Sequence, residues 1–193
     1  MSQSSVAQLP HVPTSLIVSG GVPITLRPTR ADDADRILAL ARSLDVDDLV
    51  FLRMDITDPA VVKAWIERLE EGRAVSLLAE TQGALIGYGS LFDSELTWQR
   101  HLGEIRLLVD RRYRSRGLGH ALVGELFRIA RARGLRKLVA HVTADQRGAI
   151  AMFERHGFKV EALLQDFVID RHGRTRDLVV MAHDIEGLSN QLG

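Results

Sequence analysis

The chain contains no cysteine. That excludes disulfides, thiolate-bound metals and any acyl-cysteine intermediate. It carries no net charge either, since 25 Lys and Arg balance 25 Asp and Glu over 193 residues. Such a balance argues against a surface built to bind polyanions, and no nucleic-acid partner is expected. No apolar run approaches the ~18 residues that a membrane-spanning helix needs. The start, Met1-Ser2-Gln3-Ser4-Ser5, lacks the basic and apolar stretches of a secretory signal. A cytoplasmic protein with no membrane partner is the expectation. The seven histidines show no His-x3–5-His spacing, so no metal site is expected.

What is present reads as one α/β domain. Residues 1–21 are rich in Ser, Pro and Gly and read as a flexible tail; the domain spans 22–183, and 184–193 form a second tail. Strand patterns fall at 22–27, 74–80, 84–92, 103–110, 137–142, 158–160 with 163–169, and 178–182. Helical patterns cover 31–44, 59–71, 120–133 and 147–156, with Asp58-Pro59 as an N-terminal signal and Gly134 and Gly157 as stops. Trp65, at helical spacing, reads as core. Trp98 reads as packed under its loop, with an acceptor-lining role as the alternative.

The basic residues are not evenly spread. Ten lie between Arg106 and Lys137, against two acidic residues, Asp110 and Glu125. Inside this stretch a strand feeds Asp110-Arg111-Arg112-Tyr113-Arg114-Ser115-Arg116-Gly117-Leu118-Gly119, and a helix follows at once. Glycines at a helix start allow close backbone approach, and the free first-turn amides and helix dipole favour an anion. Together with four arginines they describe a diphosphate pocket. A Walker A loop fails, because His120-Ala121 follows Gly119 in place of Lys and Ser/Thr. A Rossmann fingerprint is weak, because Leu122 stands where the third glycine belongs and the next strand ends in His141-Val142-Thr143 without an acidic residue. Ser90 lacks the second glycine of a nucleophile elbow.

Arg114-x-x-Gly117-x-Gly119 resembles the Arg/Gln-x-x-Gly-x-Gly/Ala signature of the GCN5-related N-acetyltransferases (GNAT). The helix ending Phe153-Glu154-Arg155-His156-Gly157-Phe158 is similar to a second motif of that family, and the likeness extends over residues 22–183. The resemblance implies a mixed central sheet splayed between its fourth and fifth strands and flanked by about four helices. It implies acetyl-CoA in the split, with no metal. The pyrophosphate would meet Arg114, Ser115, Arg116, Gly117, Leu118, Gly119 and His120, and the pantetheine arm the backbone of Leu108 and Val109. Gln146 and Phe153 would line the same cofactor. Three positions depart from the family pattern. Ser115 stands where Gly is frequent, and serves if it needs no positive φ. Gln146 stands where Asn is common. Phe153 replaces a Tyr often assigned as the acid that protonates the CoA thiolate, and a phenyl ring cannot do this.

The implied activity is transfer of an acetyl group from acetyl-CoA to a primary amine by direct attack. The acceptor would be a small molecule or a protein amine. The Val109 amide is the candidate oxyanion donor. Glu104, at the start of the fourth strand and on the same pleat face as Arg106 and Leu108, is the candidate catalytic base. His101 and Glu95 are weaker ones. Asp45, Asp47 and Asp48 could form an acidic patch for the acceptor. A homodimer is the expected assembly. The competing readings are a non-catalytic acyl-CoA-binding module, which Phe153 favours, and a basic nucleic-acid-binding domain.

Overall fold

The computed structural model describes residues 13–44, 46–49, 52, 54–93, 97–170 and 172–185. Eight strands form one sheet in the order β1-β2-β3-β4-β5-β6-β8-β7. They are β1 (Thr14–Val18), β2 (Val22–Pro28), β3 (Ala74–Thr81), β4 (Ala84–Asp93), β5 (Leu102–Val109), β6 (Lys137–Thr143), β7 (Lys159–Ile169) and β8 (Thr175–Asp184). The helices are α1 (Ala34–Ser43), α2 (Val46–Leu49), α3 (Pro59–Glu70), α4 (Leu118–Ala132) and α5 (Arg147–Arg155). Every neighbouring pair is antiparallel except β5 and β6. The parallel pair is joined through α4, the crossover such a pairing needs. Its registered partners are Leu102–Lys137, Gly103–Leu138 and Glu104–Val139, while β5 runs on to Val109 and β6 to Thr143.

The expected N-terminal tail is in part a strand. Thr14-Ser15-Leu16-Ile17-Val18 contains β-branched residues and pairs with β2. Gly20 (φ 88°) and Gly21 (φ 72°) supply the positive dihedrals of the turn between them. The two strand-like pieces expected at 158–169 are one strand with register breaks between Val160 and Ala162 and between Leu164 and Val168. The four-residue α2 carries no periodicity of its own and was not expected. The other expected elements stand, with ends shifted by a few residues. In α3, the Asp58 carboxylate accepts from the Ala60 amide at 2.8 Å, as the Asp-Pro signal predicts.

Two apolar layers sandwich the sheet. On one face α1 and α3 pack over β3, β4 and β5 through Ile37, Leu38, Val62, Trp65, Tyr88, Phe92 and Leu108. Trp65 is core, as expected, its ring tilted against Tyr88 with centroids 4.9 Å apart. On the other face α4 and α5 pack through Leu122, Leu126, Ile129 and Phe153. A Cβ at Gly89 of β4 would come within 3.0–3.3 Å of Leu107, Leu126 and Leu122. That absent side chain lets α4 lie close on the sheet, which sets where its N-terminus emerges. An Arg27 guanidinium ties β2 to Asp33 and Glu80 at 2.6 Å each. Burial is the largest single influence and opposes ionisation of both carboxyls, but the hydrogen bonds and charges of Arg27 and Arg36, with the Arg30 amide at Asp33, together outweigh it and hold both below the usual range.

Candidate active site

The loop from β5 to α4 is built to leave amides free. Gly117 begins α4 at φ 92° with no side-chain cap, and the first helical backbone bond runs from Ala121 to Gly117 at 3.0 Å. The first-turn amides of Leu118, Gly119 and His120 therefore have no helical carbonyl before them. A Cβ at Gly119 would approach only Met152, at 4.0 Å, so the turn is open. Ser115 adopts φ 58°. The condition set for it by the sequence is not met: it holds the left-handed conformation despite its Cβ, the reason glycine suits this position. The His120 ring stacks on His156 with centroids 4.0 Å apart. Burial first, and then the neighbouring His120, hold the His156 imidazole below its ordinary range.

The arginines are less available than their number suggests. Arg112 hydrogen-bonds Asp110, and that bond, against some burial, keeps the Asp110 carboxyl low. Arg114 donates from Nε to the Val109 carbonyl at 3.0 Å and pairs with Asp48 at 2.8 Å. The Asp48 side chain is buried, so the expected surface patch does not include it; Asp45 and the Asp47 side chain lie outside the described residues. The Arg116 carbonyl accepts from the Ser19 amide at 2.9 Å, tying the β1–β2 turn to the loop.

β5 presents its two faces differently. Leu108 is buried under α1 and α3. The Asp110 amide bonds to the Ile86 carbonyl at 2.9 Å, and ladder bonds alternate. Leu108 thus turns its peptide groups toward β4, and Val109 turns its own toward β6. Of the two residues expected to offer backbone to the cofactor, the geometry leaves Val109. Glu104 and Arg106 share the Leu108 face, as the pleat predicts. Arg106 Nε donates to Glu104 Oε1 at 2.9 Å, and its guanidinium lies 4.1 Å over the Phe92 ring. His141 of β6 brings Nδ1 to 3.6 Å from Glu104 Oε1. His141 and Arg106 each sit in a strand among apolar neighbours, where sequence alone does not mark them. Pleat parity on adjacent strands is the signal that joins them.

The remaining candidates are dispersed. His101 serves through its carbonyl, which accepts from Arg136 and Lys137. Glu95 lies outside the described residues. Trp98 is 76% exposed, which overturns the packed expectation for it. Gln146 begins α5 without a side-chain cap. Phe153 is 4% exposed in the α4–α5 core, edge-to-face with Phe158 at 5.0 Å. Among the described residues, no group of three or more His, Asp or Glu could hold a metal, and no helix is long and apolar enough to cross a membrane.

A strand, a glycine-capped amide turn and a parallel crossover partner form the arrangement that the motif resemblance implied. The model of the acetyltransferase (GNAT) family matches residues 39–158. The chain belongs to this family. This GNAT protein is thus an acetyltransferase, and its α/β sheet is the family's. It is 26% identical over 168 residues to the L-methionine sulfoximine/L-methionine sulfone acetyltransferase of Pseudomonas aeruginosa, covering 84% of this chain and 95% of that one. A GNAT superfamily phosphinothricin acetyltransferase from Sinorhizobium meliloti, solved in complex with AcCoA, superposes with a TM-score of 0.72 at 26% identity, over 83% of this chain and 88% of that one. A ribosomal-protein-alanine N-acetyltransferase from Brucella melitensis superposes with a TM-score of 0.73 at 25% identity, over 82% and 98%.

Proposed function

We propose that this acetyltransferase moves the acetyl group of acetyl-CoA to the primary amine of a small amino-acid-like acceptor. The observation that carries the reading is the cluster of Glu104 and Arg106 on the β5 face, on the same strand as the outward-turned Val109 amide five and three residues farther along. The names of the relatives support the same acceptor class. Arg106 is a fixed cation suited to an acceptor carboxylate, and Glu104 is a carboxylate suited to its amine.

In this reading the cofactor pyrophosphate lies on the amides of Gly117, Leu118, Gly119 and His120, flanked by Arg114, Ser115 and Arg116, beyond the last registered β5–β6 pair, Glu104–Val139. The neutral amine attacks the thioester carbonyl, and the Val109 amide donates to the oxyanion. Glu104 takes a proton from the acceptor nitrogen as the C–S bond breaks. Phe153 offers no proton, so the thiolate leaves as such; with a thiol pKa of ~8.5, taking Cys as the guide, it is a tolerable leaving group. Exposed Val160, Leu163, Phe167 and Ile169 on β7 support a homodimer as the assembly.

The test is release of free CoA thiol from acetyl-CoA in the presence of an amine panel. The panel holds the L-amino acids, L-methionine sulfoximine, phosphinothricin and an alanine-initiated peptide. Turnover with amino-acid-like amines and not with the peptide is the expected result. Turnover with the peptide alone would move the acceptor class to protein N-termini, and binding of acetyl-CoA without thiol release from any amine would favour the non-catalytic module.

A further inference from the structure

We infer that His141 is a positioning residue in the proton path of this enzyme, acting through Glu104 to clear the proton that the carboxylate collects. The inference rests on the reading of Glu104 as the base. A carboxylate that takes a proton from each acceptor must lose it before the next turnover. Arg106, its nearest neighbour, cannot accept one, because a guanidinium stays protonated. His141 can. Its Nδ1 stands 3.6 Å from Glu104 Oε1, just beyond hydrogen-bond length, a gap that one bridging water or a slight closure on binding spans.

The surroundings suit this role. Glu104 is registered with Val139 of β6, so the parallel pleat sets His141 two residues farther along on the same face. The imidazole is 27% exposed, in reach of both the carboxylate and solvent. Across β8 its registered partner is Val180, which does not ionise. Of the charged groups on β6 and β8, Lys137 pairs with Glu161 and Arg176 with Asp145 and Asp170, and Asp184 is registered opposite Lys137. In the step itself, the O–H bond on Glu104 breaks, an N–H bond forms on Nδ1, and the imidazolium returns one proton to water. Glu104 is again a carboxylate and His141 again neutral. Imidazole is suited to this because one ring nitrogen accepts a proton while the other can give one up.

The test compares His141→Asn, Glu104→Gln and the parent enzyme, using the panel amine of highest turnover. For His141→Asn the expected result is a kcat lowered roughly 10-fold or more, an acidic limb of the kcat–pH profile that moves, an unchanged KM for acetyl-CoA, and partial rescue by added imidazole. Glu104→Gln should lose activity and gain nothing from imidazole. Parent-like kcat and profile in His141→Asn, beside an inactive Glu104→Gln, would overturn the relay and leave the base intact. A fall in kcat with an unmoved profile and no rescue would overturn it as well. Parent-like kcat in Glu104→Gln would remove the base beneath it. One measurement needs no turnover: the NMR titration of the His141 ring, assigned by its absence in His141→Asn, should shift when Glu104 becomes Gln. No shift would overturn the coupling.

Discussion

The two ends of the site are built on different principles. The proposed cofactor end is one continuous segment, 114–120, in which backbone amides at Gly117 and the start of α4 would meet the pyrophosphate. The proposed acceptor end gathers side chains from separate strands: Glu104 and Arg106 from β5 and His141 from β6. The first depends on chain conformation and tolerates many side chains. The second depends on which atoms each side chain carries. An amide turn binds any phosphate of the right shape, whereas a carboxylate, a guanidinium and an imidazole on one face select and process one partner.

The sharpest break of this contrast is Glu104→Gln. It should lower kcat by ~10²–10⁴-fold while leaving acetyl-CoA affinity, measured by calorimetry, nearly unchanged. Gly119→Asp should do the reverse. The site has room for a side chain, so the fold survives, but a carboxylate at the helix start repels phosphate. Affinity for acetyl-CoA should fall roughly 100-fold, about 2–3 kcal/mol. Parent-like binding by this variant would show that the phosphates lie elsewhere.

Asp48→Asn tests how far a side chain enters the cofactor end. Asp48 neutralises Arg114 in the free protein. Removing its charge while keeping an amide in place should tighten acetyl-CoA binding about 5-fold, read by calorimetry at low salt. Weaker binding would mean that Asp48 orients Arg114 for the ligand. The smallest effect belongs to Ser115→Gly. Relief of a left-handed conformation is worth about 1 kcal/mol, partly offset by the freedom glycine gains in the unfolded chain. A thermal midpoint higher by a few degrees and affinity raised no more than ~3-fold are expected.

The same contrast governs what the residues disclosed before any coordinates. The segment proposed for the cofactor stands out in the sequence because Arg114, Gly117 and Gly119 are close together and abut a strongly periodic helix. Glu104 was legible through its parity with Arg106 and Leu108. His141 was not, because its approach to Glu104 depends on the register of β6 against β5, which only the crossover through α4 establishes. Parity also separates Val109 from Leu108, but deciding which peptide faces β6 required the Asp110–Ile86 bond. β1 was hidden by the Ser, Pro and Gly around it, which outweighed a five-residue strand. Phe153 stood out by its departure from the family pattern; only packing revealed that its ring belongs to the core against Phe158.

The edge strand β7 has a consequence for handling the protein at high concentration. Its sequence, Lys159-Val160-Glu161-Ala162-Leu163-Leu164-Gln165-Asp166-Phe167-Val168-Ile169, is rich in the residues from which fibrillar stacks are made, and among the described residues no strand pairs with its outer edge. Cross-β growth needs about six or seven regular residues in a row. The two register breaks leave registered runs of two, three and two: 159–160, 162–164 and 168–169. Asp166, at φ 49° within the second break and hydrogen-bonded by Thr175, bends the strand there. The irregularity denies an incoming chain a long straight template, so a strand with the composition of an aggregator remains compatible with a stable solution.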